Sequence, residues 1–150
     1  MPQSLARILV HLIFSTKNRE PFLDTEIRAE LHPYLAVALR ESGCPSLQVG
    51  GADDHVHLLF GLSRTLTVAQ VVESVKTSSS KWMKTKDSTY SNFFWQAGYG
   101  AFSVSQSHAA AVIRYIQGQE EHHRKETFQE EYLKFLHRYQ VSYDERHVWD

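Results

Sequence analysis

Hydrophobic and polar positions along the chain follow two periods, and the change from one to the other outlines the elements. Ala6–Thr16 (ARILVHLIFST) is a run of β-branched and aromatic residues and predicts a central strand, with His11 inside it as a core histidine. After a polar loop, Lys17–Phe22, the period becomes helical. Asp24 or Thr25 offers a cap, Ile27, Leu31, Leu35 and Leu39 recur at helical spacing to about Ser42, and Gly43 supplies the stop. Pro33 interrupts that pattern and predicts a kink. Ser46–Gly51 and His55–Leu62 read as a hairpin about the turn Ala52–Asp54. Thr67 with Gln70 forms a capping box for a second helix, which has the stripe Val68, Val71, Val72, Val75 and runs to about Met83. Phe93–Trp95 and Tyr99–Val104 are extended, with Gly98 and Gly100 allowing a bend or bulge. Ser105 or Ser107 caps a third helix through about Arg124, and Thr127 with Glu130 boxes a last one through Leu136.

Strand, helix, strand, strand, helix, strand and then helices is an α+β order. It predicts a ferredoxin-like, RRM-like antiparallel sheet with helices packed on one face, plus a further C-terminal helix. Residues 1–150 are expected to form a single domain, long enough to bury a core without staples. The net charge of −1 argues against a general nucleic-acid coat while leaving room for a local basic groove. Cys44 is the only cysteine, so no intrachain disulfide forms. There is no secretory leader pattern, and the apolar run Ile8–Phe14 is too short to span a membrane. A cytoplasmic protein with no membrane partner is expected.

Nine histidines are the one unusual feature of the composition. Two of them, His55 and His57, flank Val56 on the predicted third strand. Alternate strand residues share a face, so this pair points one way from a rigid base and can hold a divalent metal. Two half-exposed histidines on an antiparallel strand is the more frequent meaning of such spacing. On the third helix His108, Ala111, Tyr115, Gln119 and His122 share a stripe, with Val112, Ile113 and Ile116 facing the core. Taken alone, Tyr115 and Gln119 are surface residues of an amphipathic helix. Joined to the histidine pair, Gln119 gives a metal an oxygen ligand and Tyr115 gives a nucleophile, with positions left open for water and phosphate. A tyrosine nucleophile stores the broken phosphodiester as a phosphotyrosine, which suits strand transfer better than digestion. Lys76, Lys81, Lys84 and Lys86 gather at the end of the second helix among Ser78, Ser79 and Ser80, either as a solvated helix end or as a phosphate-contacting rim.

These motifs resemble a known family. His55-Val56-His57-Leu58-Leu59 is similar to the His-hydrophobe-His motif of the HUH endonuclease superfamily. Tyr115 through Arg124 resembles the nucleophile helix of its single-tyrosine transposases, the insertion-sequence 200/605 group. Phe94 to Ser105 and the end Tyr143 to Asp150 match as well, so the likeness spans nearly the full chain. Gly118 stands where a larger polar residue is expected, and Asp53 where proline is common. The resemblance implies His55, His57 and Gln119 as ligands of Mg2+ or Mn2+ and Tyr115 as nucleophile. It also implies a homodimer acting on single-stranded DNA with subterminal hairpins, and Lys76, Lys81 and Lys84 near the DNA. Two other readings remain. One is a non-catalytic or host-co-opted binder of single-stranded DNA or RNA hairpins, with Phe94, Trp95, Tyr99 and Phe102 as the stacking platform. The other is a phosphohydrolase, which usually carries a third alternating histidine where this chain has Leu59.

Overall fold

The computed structural model describes residues 2–150. The strands are β1 (Leu9–Ser15), β2 (Ser46–Gly51), β3 (His55–Gly61) and β4 (Gly100–Val104). The helices are α1 (Thr25–Glu41), α2 (Val68–Lys86), α3 (Ala109–Gln117), α4 (Gln119–His122) and α5 (Phe128–Arg138). The sheet order is β2-β3-β1-β4 and every pairing is antiparallel, which is the ferredoxin-like arrangement expected. β1 starts at Leu9 rather than Ala6. Its two neighbours end opposite Leu9, at Gly61 and Val104, and before it the pairing dwindles to one hydrogen bond, from the Leu62 N–H to the Ile8 carbonyl at 2.7 Å.

Alternation along the two central strands sorts the core into two layers. Val10, Leu12 and Phe14 of β1, with Val56, Leu58 and Phe60 of β3, pack under α1 and α2. The opposite face carries Leu9 and Leu59 against α3, and Ile13 against Phe128, Tyr132 and Leu136 of α5. The paired helices α1 and α2 thus hold one face, and the additional C-terminal helices cover the other. Every residue of β1 and β3 is buried as a result. His11, His55 and His57 sit on the α3–α5 side, inside the molecule.

Local signals explain most boundaries. Asp24 caps α1 by accepting from the Ile27 N–H. Both capping boxes form, Thr67 with Gln70 and Thr127 with Glu130. α1 continues past Pro33 to Glu41, with buried Ile27 and Leu31 before the proline and Leu35 and Leu39 after it anchoring the helix.

The third helix departs from expectation. It does not run unbroken to Arg124, and neither Ser105 nor Ser107 caps it; those hydroxyls lie 3.2 Å from each other instead. α3 ends at Gln117, Gly118 takes φ −91° and ψ 13°, and α4 restarts at Gln119. The helix breaks at the residue without a side chain.

Candidate functional site

The site lies between the α3–α5 layer and β3, and the strand register positions its base. Ser15 lies opposite His55 and Ile13 opposite His57, so β1 backs both histidines. Each imidazole is oriented from behind. His55 Nδ1 lies 2.7 Å from Asp54 Oδ1, and His57 Nδ1 lies 2.8 Å from His11 Nε2. With its Nδ1–H given to Asp54, His55 carries the Nε2 lone pair toward the interior. The His11 partner can donate to His57 or accept from it, so the inward Nε2 of His57 is available as donor or as ligand. Burial and the neighbouring His57 push His11 well below the usual histidine range. Burial lowers His57 to about 4 in spite of its contact with Glu131.

α4 and α5 supply the opposite wall. Gln119 Oε1 lies 2.9 Å from His55 Nε2, and its amide N–H donates to Glu131 Oε2 at 3.0 Å, which fixes the direction of the amide. Glu131 Oε1 lies 2.9 Å from His57 Nε2, 3.2 Å from His123 Nε2 and 3.6 Å from His55 Nε2. The Tyr115 hydroxyl donates to Glu131 Oε2 and stands 3.4 Å from His122 Nε2. Burial raises the Tyr115 phenol above its ordinary range and the Glu131 charge adds to it. Burial pushes the Glu131 carboxyl up, but nearby His123 and His57 outweigh this and hold it well below the usual carboxylate range.

All four residues expected at the site therefore meet: His55, His57, Gln119 and Tyr115 converge within one chain. Glu131, His123, Asp54 and His11 join them without having been singled out. Glu131 was the most legible of these, since it stands with Phe128, Tyr132 and Leu136 in the buried stripe of α5. A carboxylate in an apolar stripe costs several kcal/mol unless it is paired.

The donor set fits a divalent cation. His55 Nε2 and Gln119 Oε1 face each other as lone pairs, an arrangement that repels unless a proton or a metal ion lies against them. His123 Nε2 is buried and makes no hydrogen bond despite lying close to the carboxylate. Ligand atoms of His55, His57, His123 and Glu131 all fall within 4.8 Å of one another.

A family model described as "Transposase IS200 like" matches residues 4–119 of the chain. The chain belongs to the IS200-like transposase family. Among curated relatives, the ISDra2 transposase TnpA of Deinococcus radiodurans is 25% identical over 114 residues, covering 73% of this chain and 81% of its own. Two solved structures share the fold. A crystal structure of a candidate transposase from Deinococcus radiodurans R1 aligns with TM-score 0.63 and 24% identity, over 80% of this chain and 96% of that one. A REP-associated tyrosine transposase bound to a REP hairpin aligns with TM-score 0.57 and 12% identity, over 79% of this chain and 70% of that one. The family match ends at Gln119. His123 and Glu131 lie beyond it, so α5 adds a carboxylate from outside the family-matched segment of this transposase.

The lysines expected near DNA lie on α2, across the sheet from the histidines. Lys76 uses its ammonium on the carbonyls of Gln96 at 2.6 Å and Gly98 at 2.7 Å, and burial lowers it to about 8. Lys81 and Lys84 are exposed, and Lys84 Nζ stands 4.5 Å from the centre of the exposed Phe94 ring, with Lys17 Nζ at 5.7 Å. Of the four aromatics considered for stacking, Trp95 and Phe102 are core, while Phe94 and Tyr99 are exposed. No helix among the described residues is long and apolar enough to cross a membrane.

Proposed function

We propose that this transposase cuts single-stranded DNA and rejoins it through a phosphotyrosine on Tyr115, at a site where His55, His57 and Gln119 hold Mg2+ or Mn2+. The observation that carries this reading is the meeting of the Tyr115 hydroxyl with Glu131, which also contacts His57 Nε2 at 2.9 Å. Nucleophile and histidine pair, well separated in sequence, share one carboxylate. When bound, the cation polarises the scissile phosphate and takes up the charge that develops on it.

The chain's own groups do the rest. Asp54 and His11 hold the imidazoles in orientation. Gln119 presents its oxygen because Glu131 Oε2 accepts one of its N–H groups. The phenol oxygen attacks phosphorus, a bond to the 5′-phosphate forms, and the bond from phosphorus to the 3′ oxygen breaks; that oxygen takes a proton from water and leaves as a 3′-hydroxyl. The phenolic proton already faces a carboxylate acceptor. Attack of a 3′-hydroxyl on the phosphotyrosine reverses the step and restores Tyr115. Phe94, with Lys84 and Lys17 beside it, offers a base-stacking surface with cations for the backbone, and Lys81 precedes Lys84 by three residues on α2. Lys76 supports that surface by fixing the loop after Trp95. The reading includes a homodimer and subterminal hairpins as substrate, by likeness to the family.

The test is adduct formation with a labelled single-stranded oligonucleotide carrying a hairpin, read on a denaturing gel. With Mn2+ present, wild type is expected to give a covalent adduct. Tyr115→Phe is expected to give none, with hairpin binding close to that of wild type, and chelation is expected to suppress the adduct as well. An adduct that persists in Tyr115→Phe overturns the nucleophile assignment. Hairpin binding without an adduct under every metal condition moves the protein to the non-catalytic binding reading.

A further inference from the structure

We infer that Glu131 is an anionic ligand of the cation site and the group that ties Gln119 and Tyr115 to it. The inference rests on the cation site proposed above and deepens it. The set of His55, His57 and Gln119 is electrically neutral; Glu131 adds a carboxylate, the ligand type that hard divalent ions such as Mg2+ and Mn2+ prefer.

Three observations carry it. The first is placement: Glu131 is 1% exposed in the apolar stripe of α5, where an ionised group persists only if a function or a set of partners holds it. The second is convergence. Three imidazole nitrogens, from His57, His123 and His55, surround the single oxygen Oε1 at 2.9, 3.2 and 3.6 Å. His123 makes no hydrogen bond there, so the crowding is that of donors around a shared centre rather than of a completed hydrogen-bond network. The third is division of labour between the two oxygens. Oε1 faces the imidazoles, while Oε2 receives the Gln119 amide and the Tyr115 hydroxyl. One carboxylate thereby sets the amide so that its oxygen faces His55, and stations the phenol beside the ion. In the tautomer with its hydrogen on Nδ1, donated to His11 Nε2, His57 presents the Nε2 lone pair to the site as a ligand.

The experiment is Mn2+ binding to the full chain, measured by the paramagnetic resonance signal of free Mn2+ and by the thermal midpoint with and without Mn2+. Wild type, Glu131→Gln, His57→Ala and Tyr115→Phe are compared, with circular dichroism as the check on folding. Glu131→Gln is expected to lose at least about tenfold in Mn2+ affinity and most of the Mn2+-induced rise in midpoint. Tyr115→Phe is expected to bind Mn2+ as wild type does. Wild-type affinity in Glu131→Gln, with affinity lost in His57→Ala, overturns the role of Glu131 and leaves the histidine site standing. Wild-type affinity in both overturns the cation site itself. Should Glu131→Gln fail to fold, wild-type crystals soaked in Mn2+ decide the matter by anomalous scattering. A peak bonded to a Glu131 oxygen supports the inference, and a peak on His55 and His57 without Glu131 overturns it.

Discussion

At the residue scale the histidines of this chain differ in their surroundings more than in their chemistry. His55 and His57 are held from behind and open toward the site, while His32 on α1 is half-buried, with its Nε2 out of contact with water and unpartnered. Burial, with the charge of Arg28 and a smaller contribution from His55, lowers His32 from 6.5 to about 4, and Glu120 opposes the shift only in part. The folded chain therefore binds this proton less readily than the unfolded chain. Stability is unaffected by His32 above about pH 6.5, falls as pH drops from there to about 4, and levels off below. The slope from one such group reaches about 1.4 kcal/mol per pH unit. His32→Gln is expected to flatten the fall in urea midpoint between pH 6.5 and 4, measured in chelating buffer against wild type; parallel curves would count against the assignment. The pairing of His55 with His57 was legible because strand alternation is a property of the backbone. The difference between them and His32 was not, because burial of a helical histidine depends on what lies across from it.

At the element scale the nucleophile is positioned by how closely α3 approaches β2. A Cβ built on Gly50 would stand 2.7 Å from both the Ile116 Cγ2 and the Ile116 carbonyl oxygen. Ile116 follows Tyr115 directly, so any shift of α3 away from the strand carries the phenol with it. Gly50→Ala is expected to lose about 1–3 kcal/mol of stability by urea denaturation, as overpacking does, and to lower the adduct yield. A midpoint equal to wild type would show that α3 is not held at this point. The glycine pair Gly50-Gly51 was visible in the sequence as the end of a strand, and a glycine there signals a close neighbour without naming it. The break at Gly118 was signalled as well, by the only glycine between Tyr115 and Arg124. Its consequence, a separate α4 that turns Gln119 inward to 1% exposure, belongs to the packed helices.

At the scale of the whole molecule, one chain holds a complete set: Tyr115, Gln119 and Glu131 stand against the same chain's His55 and His57. Mixing Tyr115→Phe with His57→Ala is therefore expected to give no adduct, since neither chain regains what it lacks. Recovery of the adduct in the mixture would mean that the tyrosine of one subunit serves the histidines of another. The closed arrangement depends on both faces of the sheet being covered, with α1 and α2 on one side and α3 to α5 on the other. The C-terminal residues fasten the far side, where the Asp150 carbonyl accepts from the Gly98 N–H at 2.9 Å and Trp149 packs against Phe128 and Tyr132.

By itself the sequence determined the order of strands and helices, both capping boxes, and the shared face of His55 and His57. Each of these follows from spacings of two, three or four residues, which backbone geometry alone converts into direction. Only the tertiary structure decided that Glu131 and His123 enter the site, that Lys76 is occupied with backbone carbonyls, and that Phe94 is exposed while Trp95 is buried. Glu131 meets His57 across 74 positions of chain. No local period encodes a contact at that separation, because it exists only once α5 has packed on the sheet.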